Sequence, residues 1–113
     1  LNADPADGGS IPGAIEQLLD HPRVQDPQPR SDGGATAAQR QGGVNADHLG
    51  DPALDTGDFS DNRVGNLRVD YVLPSIDLKV VDSGVHWPSD GPGLELVEKA
   101  SDHRLVWVDV IVD

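Results

Sequence analysis

The sequence predicts an α+β domain, and three stretches predict it: an amphipathic helical pattern over 11–20, an alternating strand pattern over 67–73 and a Val-rich strand over 103–112. A length of 113 residues suits one domain and no more. Large apolar side chains crowd into 67–81 and 94–112, with a smaller group at 11–19, so the core is expected mainly in the C-terminal half.

Taken in order, residues 1–9 form a polar loop. Ser10 is then placed as an N-cap with Pro12 in the first turn. Ile11, Ile15, Leu18 and Leu19 recur at helical spacing, which predicts a short helix from about Ile11 to Asp20. Pro22 stops it and leaves His21 as an exposed cap. Residues 25–66 hold seven of the thirteen glycines and three of the nine prolines, and read as a long polar surface loop with one helical turn near Ala35–Gln39. From Leu67 the period becomes two: Leu67, Val69, Tyr71 and Leu73 share one face, and Arg68, Asp70 and Val72 the other, until Pro74. Asp77 to Val81 reads as another strand, turned at Ser83-Gly84 and followed by Val85-His86-Trp87-Pro88. Leu94, Leu96 and Val97 add a helical turn. The last strand, His103 to Val112, is apolar on both faces and therefore belongs between stacked layers.

Charge narrows the function. Seventeen Asp and three Glu against eight Lys plus Arg give a net charge of −12, which repels a phosphate backbone and disfavours a nucleic-acid partner. Asp oxygens do suit hard cations. Without cysteine there is neither a disulfide frame nor a thiolate zinc site. No run reaches the length of a membrane span. The compartment stays open, with secretion or a periplasmic location preferred. The series Asp51, Asp55, Asp58 and Asp61 lacks the alternation of an EF-hand and reads as a solvated acidic loop.

A buried Asp in a strand needs a partner, and for Asp70 the candidates are Arg68, Arg104 and a histidine. If the partner is His103, the carboxylate holds one ring nitrogen and leaves the other for a proton or a phosphate. An Asp–Arg pair is the structural alternative. Ser101, Asp102 and His103 are consecutive, so they cannot form the mutual relay of a nucleophilic triad. A metal-ligating Asp102 beside a catalytic His103 divides the work better.

Ser101-Asp102-His103 ahead of a hydrophobic strand, together with Arg68-Val69-Asp70-Tyr71-Val72-Leu73, resembles the C-terminal signature of the endonuclease/exonuclease/phosphatase superfamily. Leu1-Asn2-Ala3-Asp4-Pro5 is similar to the tail of that family's Gly-Asp-Phe/Leu-Asn motif. The resemblance implies a DNase I-like four-layered α/β/β/α sandwich and hydrolysis of a phosphate ester with Mg²⁺, or Mn²⁺ or Ca²⁺ in its place. By position it makes Asn2 and His103 contacts of the phosphate, Asp70 the group that orients His103, and Asp102 a metal-side carboxylate. Arg104 receives no catalytic role.

The family's domain is at least twice this length, and its N-terminal half supplies a Glu, an Asn or Asp and a second His for which Glu16, Glu95 and Glu98 lie in the wrong context. The expectation is therefore a C-terminal half, residues 1–113 of one domain, completed by an N-terminal half as a separate or cleaved chain and inactive alone. The leading function is a metal-dependent phosphoesterase acting on a mono- or diester. The alternative is a non-catalytic, acidic, divalent-cation-binding module on the same fold, suggested by the carboxylates at 47–61.

Overall fold

The computed structural model describes residues 2–113. Along the chain run α1 (Glu16–Leu19), α2 (Asp32–Gln41), 3-10 turns at Gly43–Asp47 and Pro52–Leu54, β1 (Gly57–Asp58), β2 (Asn66–Leu67), β3 (Lys79–His86), α3 (Gly91–Ala100) and β4 (Leu105–Ile111). β1 pairs antiparallel with β2, and β3 antiparallel with β4, as two separate two-stranded sheets. The mixed α+β content agrees with the sequence reading, and the sheets among the described residues are these two small pairs.

The core gathers where α2 and α3 meet the β3–β4 pair: Ala37, Val85, Trp87 and Leu94 are buried together, with Val97 and Val106 packed against them. Burying aliphatic and indole surface of this kind contributes about 1.5–3 kcal/mol per large side chain. Among the described residues β4 pairs as a strand only with β3, and Leu105 and Ile111 at its ends stay exposed. The position between layers predicted for this strand is not what the described residues show.

Four other expectations are corrected, each for a local reason. The N-terminal helix is a single turn, because Gly13 takes a φ of 80° and Ser10 does not cap: its hydroxyl accepts the Asp4 N–H at 3.0 Å. The segment at 79–86 is one strand, not two with a turn between. Gly84 lies opposite Trp107, and a Cβ there would stand 2.7 Å from the indole, so the glycine marks a close approach and not a turn. The turn expected at Leu94–Val97 extends into the ten-residue α3. Of the expected 67–73 strand only Leu67 enters a ladder, together with Asn66 before it. Beyond it side-chain oxygens replace the neighbouring strand: Asp4 Oδ2 accepts the Arg68 N–H, and Thr56 Oγ1 accepts those of Val69 and Asp70.

The largest correction concerns 25–66, which is not a bare loop. Ser31 accepts the Gly34 N–H at 3.0 Å as the N-cap of α2, Asp32 sits in the first turn, and Gly42 ends the helix at φ 63°. Gly33 fits because a Cβ there would lie 1.7 Å from the Trp87 carbonyl oxygen, which is backbone and cannot rotate away. Gly33→Ala is accordingly expected to lower stability by about 1–3 kcal/mol or more despite alanine's better helix propensity. A thermal melt in which Gly33→Ala matches or exceeds the parent would refute this packing.

Candidate active site

Three extended segments, none of them long, build one frame. The Thr56 N–H donates to the Leu67 carbonyl at 2.9 Å, and on the other side the Asp58 N–H donates to the Asp102 carbonyl and the Arg104 N–H to the Thr56 carbonyl, both at 2.7 Å. Gly57 bridges His103 in the same antiparallel sense. Residues 56–58 are thus the middle member, and they hold 66–70 and 102–104 one step apart on either side.

This frame brings together the two groups separated by 33 residues in sequence: His103 Nδ1 lies 2.7 Å from Asp70 Oδ2. Each side chain is about one-third exposed, at 35% and 33%. A carboxylate only accepts, so the shared proton sits on Nδ1 and the neutral ring presents a bare Nε2. Thr56, 1% exposed, fixes the carboxylate: its hydroxyl donates to the same Oδ2 at 2.9 Å and accepts both N–H groups of Val69 and Asp70 at 3.0 Å. All hydrogen-bonding capacity of that hydroxyl is used. Phe59 meets the imidazole edge-on, with centroids 5.5 Å apart, and Gly57 leaves room for that ring, since a Cβ would come within 2.5 Å of it.

Neither arginine proposed as a partner of Asp70 serves it. Arg68 makes a two-pronged ion pair with Asp26 and stacks 4.6 Å over Tyr71. Burial acts to raise the Asp26 pKa, but hydrogen bonds from Arg68 and the Gln28 N–H outweigh it, and the net shift is downward. Arg104, 4% exposed, donates to Asp58 at 3.1 Å and to the Ser101 carbonyl at 2.7 Å while stacking 4.6 Å over Trp87. Behind Asp58 the buried Asn66 links Asn45 to Gln41, and Gln41 donates to Asp58 at 2.9 Å. The frame therefore rests on polar contacts more than on apolar packing, although Asn66 Oδ1, Trp87 Nε1 and Arg104 Nε are buried without a hydrogen-bond partner among the described residues.

Asn2 lies beside this site. Its N–H donates to the Val69 carbonyl at 3.2 Å, next to Asp70, and its φ of 48° is one that Asn tolerates. Its side chain is exposed. Tyr71 ties the N-terminal segment down, its hydroxyl lying 2.6 Å from the Ala3 carbonyl and 2.8 Å from that of Arg68, and burial pushes the phenol pKa up. Asp102 is exposed, and it contributes its carbonyl to the frame. Among the described residues no group of three or more His, Asp or Glu side chains is arranged to hold a metal ion. Asp102 alone does not make a site for Mg²⁺, so the donor set here does not fit a complete metal centre.

Sequence reasoning missed Thr56, Gly57, Asp58 and Phe59. The cue was present: a β-favouring Thr and Phe flank a glycine within an otherwise acidic stretch, which is the composition of a short strand under close approach. Removing the Thr56 hydroxyl in Thr56→Val leaves two N–H groups and one carboxylate lone pair unpaired. The expected loss is about 2–4 kcal/mol, and Thr56→Ser should restore most of it. Equal melting temperatures for the Val and Ser variants would contradict this role.

Asp55, on the next residue back, faces a different environment. It is 7% exposed, and burial together with the charges of Asp4, Asp7 and Asp51 pushes its pKa up to about 8. An acid raised in the folded state binds more protons folded than unfolded. Stability should therefore decline as pH rises from about 4 to about 8, by at most about 1.4 kcal/mol per pH unit. Asp55→Asn should flatten that decline, and an unchanged slope in denaturant titrations across the window would contradict it.

A carboxylate-held imidazole with a free second nitrogen, set on a β frame beside an asparagine, defines a site suited to proton transfer and oxyanion contact. The chain belongs to the Endonuclease/Exonuclease/phosphatase family, whose sequence model matches residues 1–103. That family comprises nucleases and phosphatases, and its fold is of the metal-dependent phosphoesterase type. No curated protein and no solved structure matches the chain significantly.

Proposed function

We propose that this chain carries the Asp–His part of a metal-dependent phosphoesterase that hydrolyses a phosphate mono- or diester by in-line attack of water. The observation that supports it most is the 2.7 Å contact between Asp70 and His103 in a member of that family. In this reading Nε2 of His103 hydrogen-bonds the phosphate or takes the proton of the attacking water, and Asp70 stabilises the charge the ring gains. Thr56 keeps Asp70 in place. Asn2, next to Asp70 through its backbone, offers its amide to the phosphate. A divalent cation belongs to the proposal with Asp102 as one ligand and the remaining donors from an N-terminal half of the domain.

A small phosphate ester fits better than duplex nucleic acid. Arg23, Arg30 and Arg40, three of the dispersed loop cations, each lie beside a carboxylate: Asp77, Asp51 and Glu98. The acidic module remains the lesser reading, because Asp51, Asp58 and Asp61 already direct their carboxylates to Arg30, Arg104 and Asn45 of the same chain. The test is hydrolysis of bis-p-nitrophenyl phosphate with Mg²⁺ by the chain together with the N-terminal half. Turnover that vanishes in His103→Ala supports the proposal, and turnover indifferent to that change overturns it.

A further inference from the structure

On extended backbone successive side chains point to opposite faces. Thr56 faces Asp70, and Asp55 accordingly points away from the dyad, into a cavity of about 370 Å³ that it lines with Asp4, Asp20 and Asp51. The volume lies in the range of small-molecule sites. Asp55 is the unusual member: it is more than nine-tenths buried, and among the described residues no hydrogen-bond donor or cation reaches its carboxyl. Of the other charges, only Asp20 at the exposed rim has no partner for its side chain among the described residues. Asp4 accepts the N–H groups of Ala6, Asp7 and Arg68, Asp51 pairs with Arg30, and Arg68, the cation in the wall, is paired with Asp26. Leu19, Leu54 and Pro5 supply an apolar wall.

We propose that this cavity binds a small organic cation with an aliphatic body, an alkyl ammonium or alkyl guanidinium, whose charged head meets Asp55 and whose methylenes lie against Leu19 and Leu54. An occupant of that kind supplies the donor Asp55 lacks and matches both halves of the lining. A bare metal ion does not suit it, since among the described residues no three carboxylates or imidazoles converge for one. Because a buried, repelled carboxyl must ionise to receive the cation, binding should release a proton near neutral pH.

Titration calorimetry of the full chain with putrescine and with agmatine tests this, with 1,4-butanediol as the uncharged counterpart and Mg²⁺ as the metal. The expected result is saturable binding of at least one amine, heats that vary with the ionisation enthalpy of the buffer, no binding of the diol, and affinity at least tenfold lower in Asp55→Asn. Asp55→Asn is close to isosteric and removes a repelled charge, so it should fold. Asp20→Asn, at the exposed rim, gives an independent check with a loss of a few fold. No amine binding, affinity equal in Asp55→Asn, or Mg²⁺ binding that is lost in Asp55→Asn would each overturn the proposal. None of these readings depends on phosphoesterase activity.

Discussion

Under the proposed function, replacing Asp70 with Asn is expected to lower phosphoester turnover by about 10²- to 10⁴-fold while leaving KM within a few fold, the scale of losing a positioned acid–base group. The reason is proton placement. Asp70 Oδ2 accepts from both Thr56 and His103 Nδ1, so only an acceptor suits that corner. Asparagine offers an amide NH₂ as well, and an NH₂ turned toward the ring demands a bare Nδ1. The proton then moves to Nε2, the nitrogen needed as the acceptor. His103→Gln should cost as much and His103/Asp70 double replacement little more, because the two act as one unit. A merely structural role for Asp70 predicts a lower melting temperature with kcat preserved in the surviving folded fraction.

The second large effect is on folding. Arg104→Met should destabilise the protein by about 3–5 kcal/mol, the cost of leaving one member of a buried ion pair behind. Its side chain is 1% exposed and that of Asp58 18%, so Asp58 would retain a carboxylate with Gln41 alone opposite it. The stack on Trp87 and the bond to the Ser101 carbonyl are lost as well. Arg104→Lys restores charge but neither the planar stack nor two-directional donation, and should recover less than half. Against a total of about 5–15 kcal/mol for a typical domain, the Met variant should lose between about a fifth and all of its stability. A denaturation midpoint within error of the parent would remove Arg104 from the frame.

How much of this was legible follows from where each signal lies. That Asp70 needs a partner was legible, because an acid inside an apolar strand must find one. Burial left Arg68, Arg104 and a histidine open, and only the family resemblance singled out His103. The last strand was legible from its valines, and the helix at 91–100 only in part, since Gly91 and Pro92 obscure its start. The middle of the chain was not legible. Gly33 and Gly34 weaken the propensity of α2, yet they are there because the Trp87 and Pro52 backbones approach too closely for a Cβ. Thr56 was lost among aspartates that look solvated, and several of these acids are in fact turned inward to Arg104, Asn45 or a cavity. Local propensity reports on solvent and backbone entropy. It carries no record of a tertiary contact with residues 40 positions away, and that is what shapes this site.

Nitrogen spectra of the imidazole reach the central claim without any assay of turnover. Long-range ¹H–¹⁵N correlation of His103, recorded at about pH 9 and therefore well above the ordinary imidazole range, should show Nδ1 carrying the proton and Nε2 bare in the parent. The pattern should shift toward protonated Nε2 in Asp70→Asn and become mixed in Thr56→Val. A parent spectrum with Nε2 protonated, or one that ignores both substitutions, would mean that Asp70 does not hold the ring, and the account of this site would fail with it.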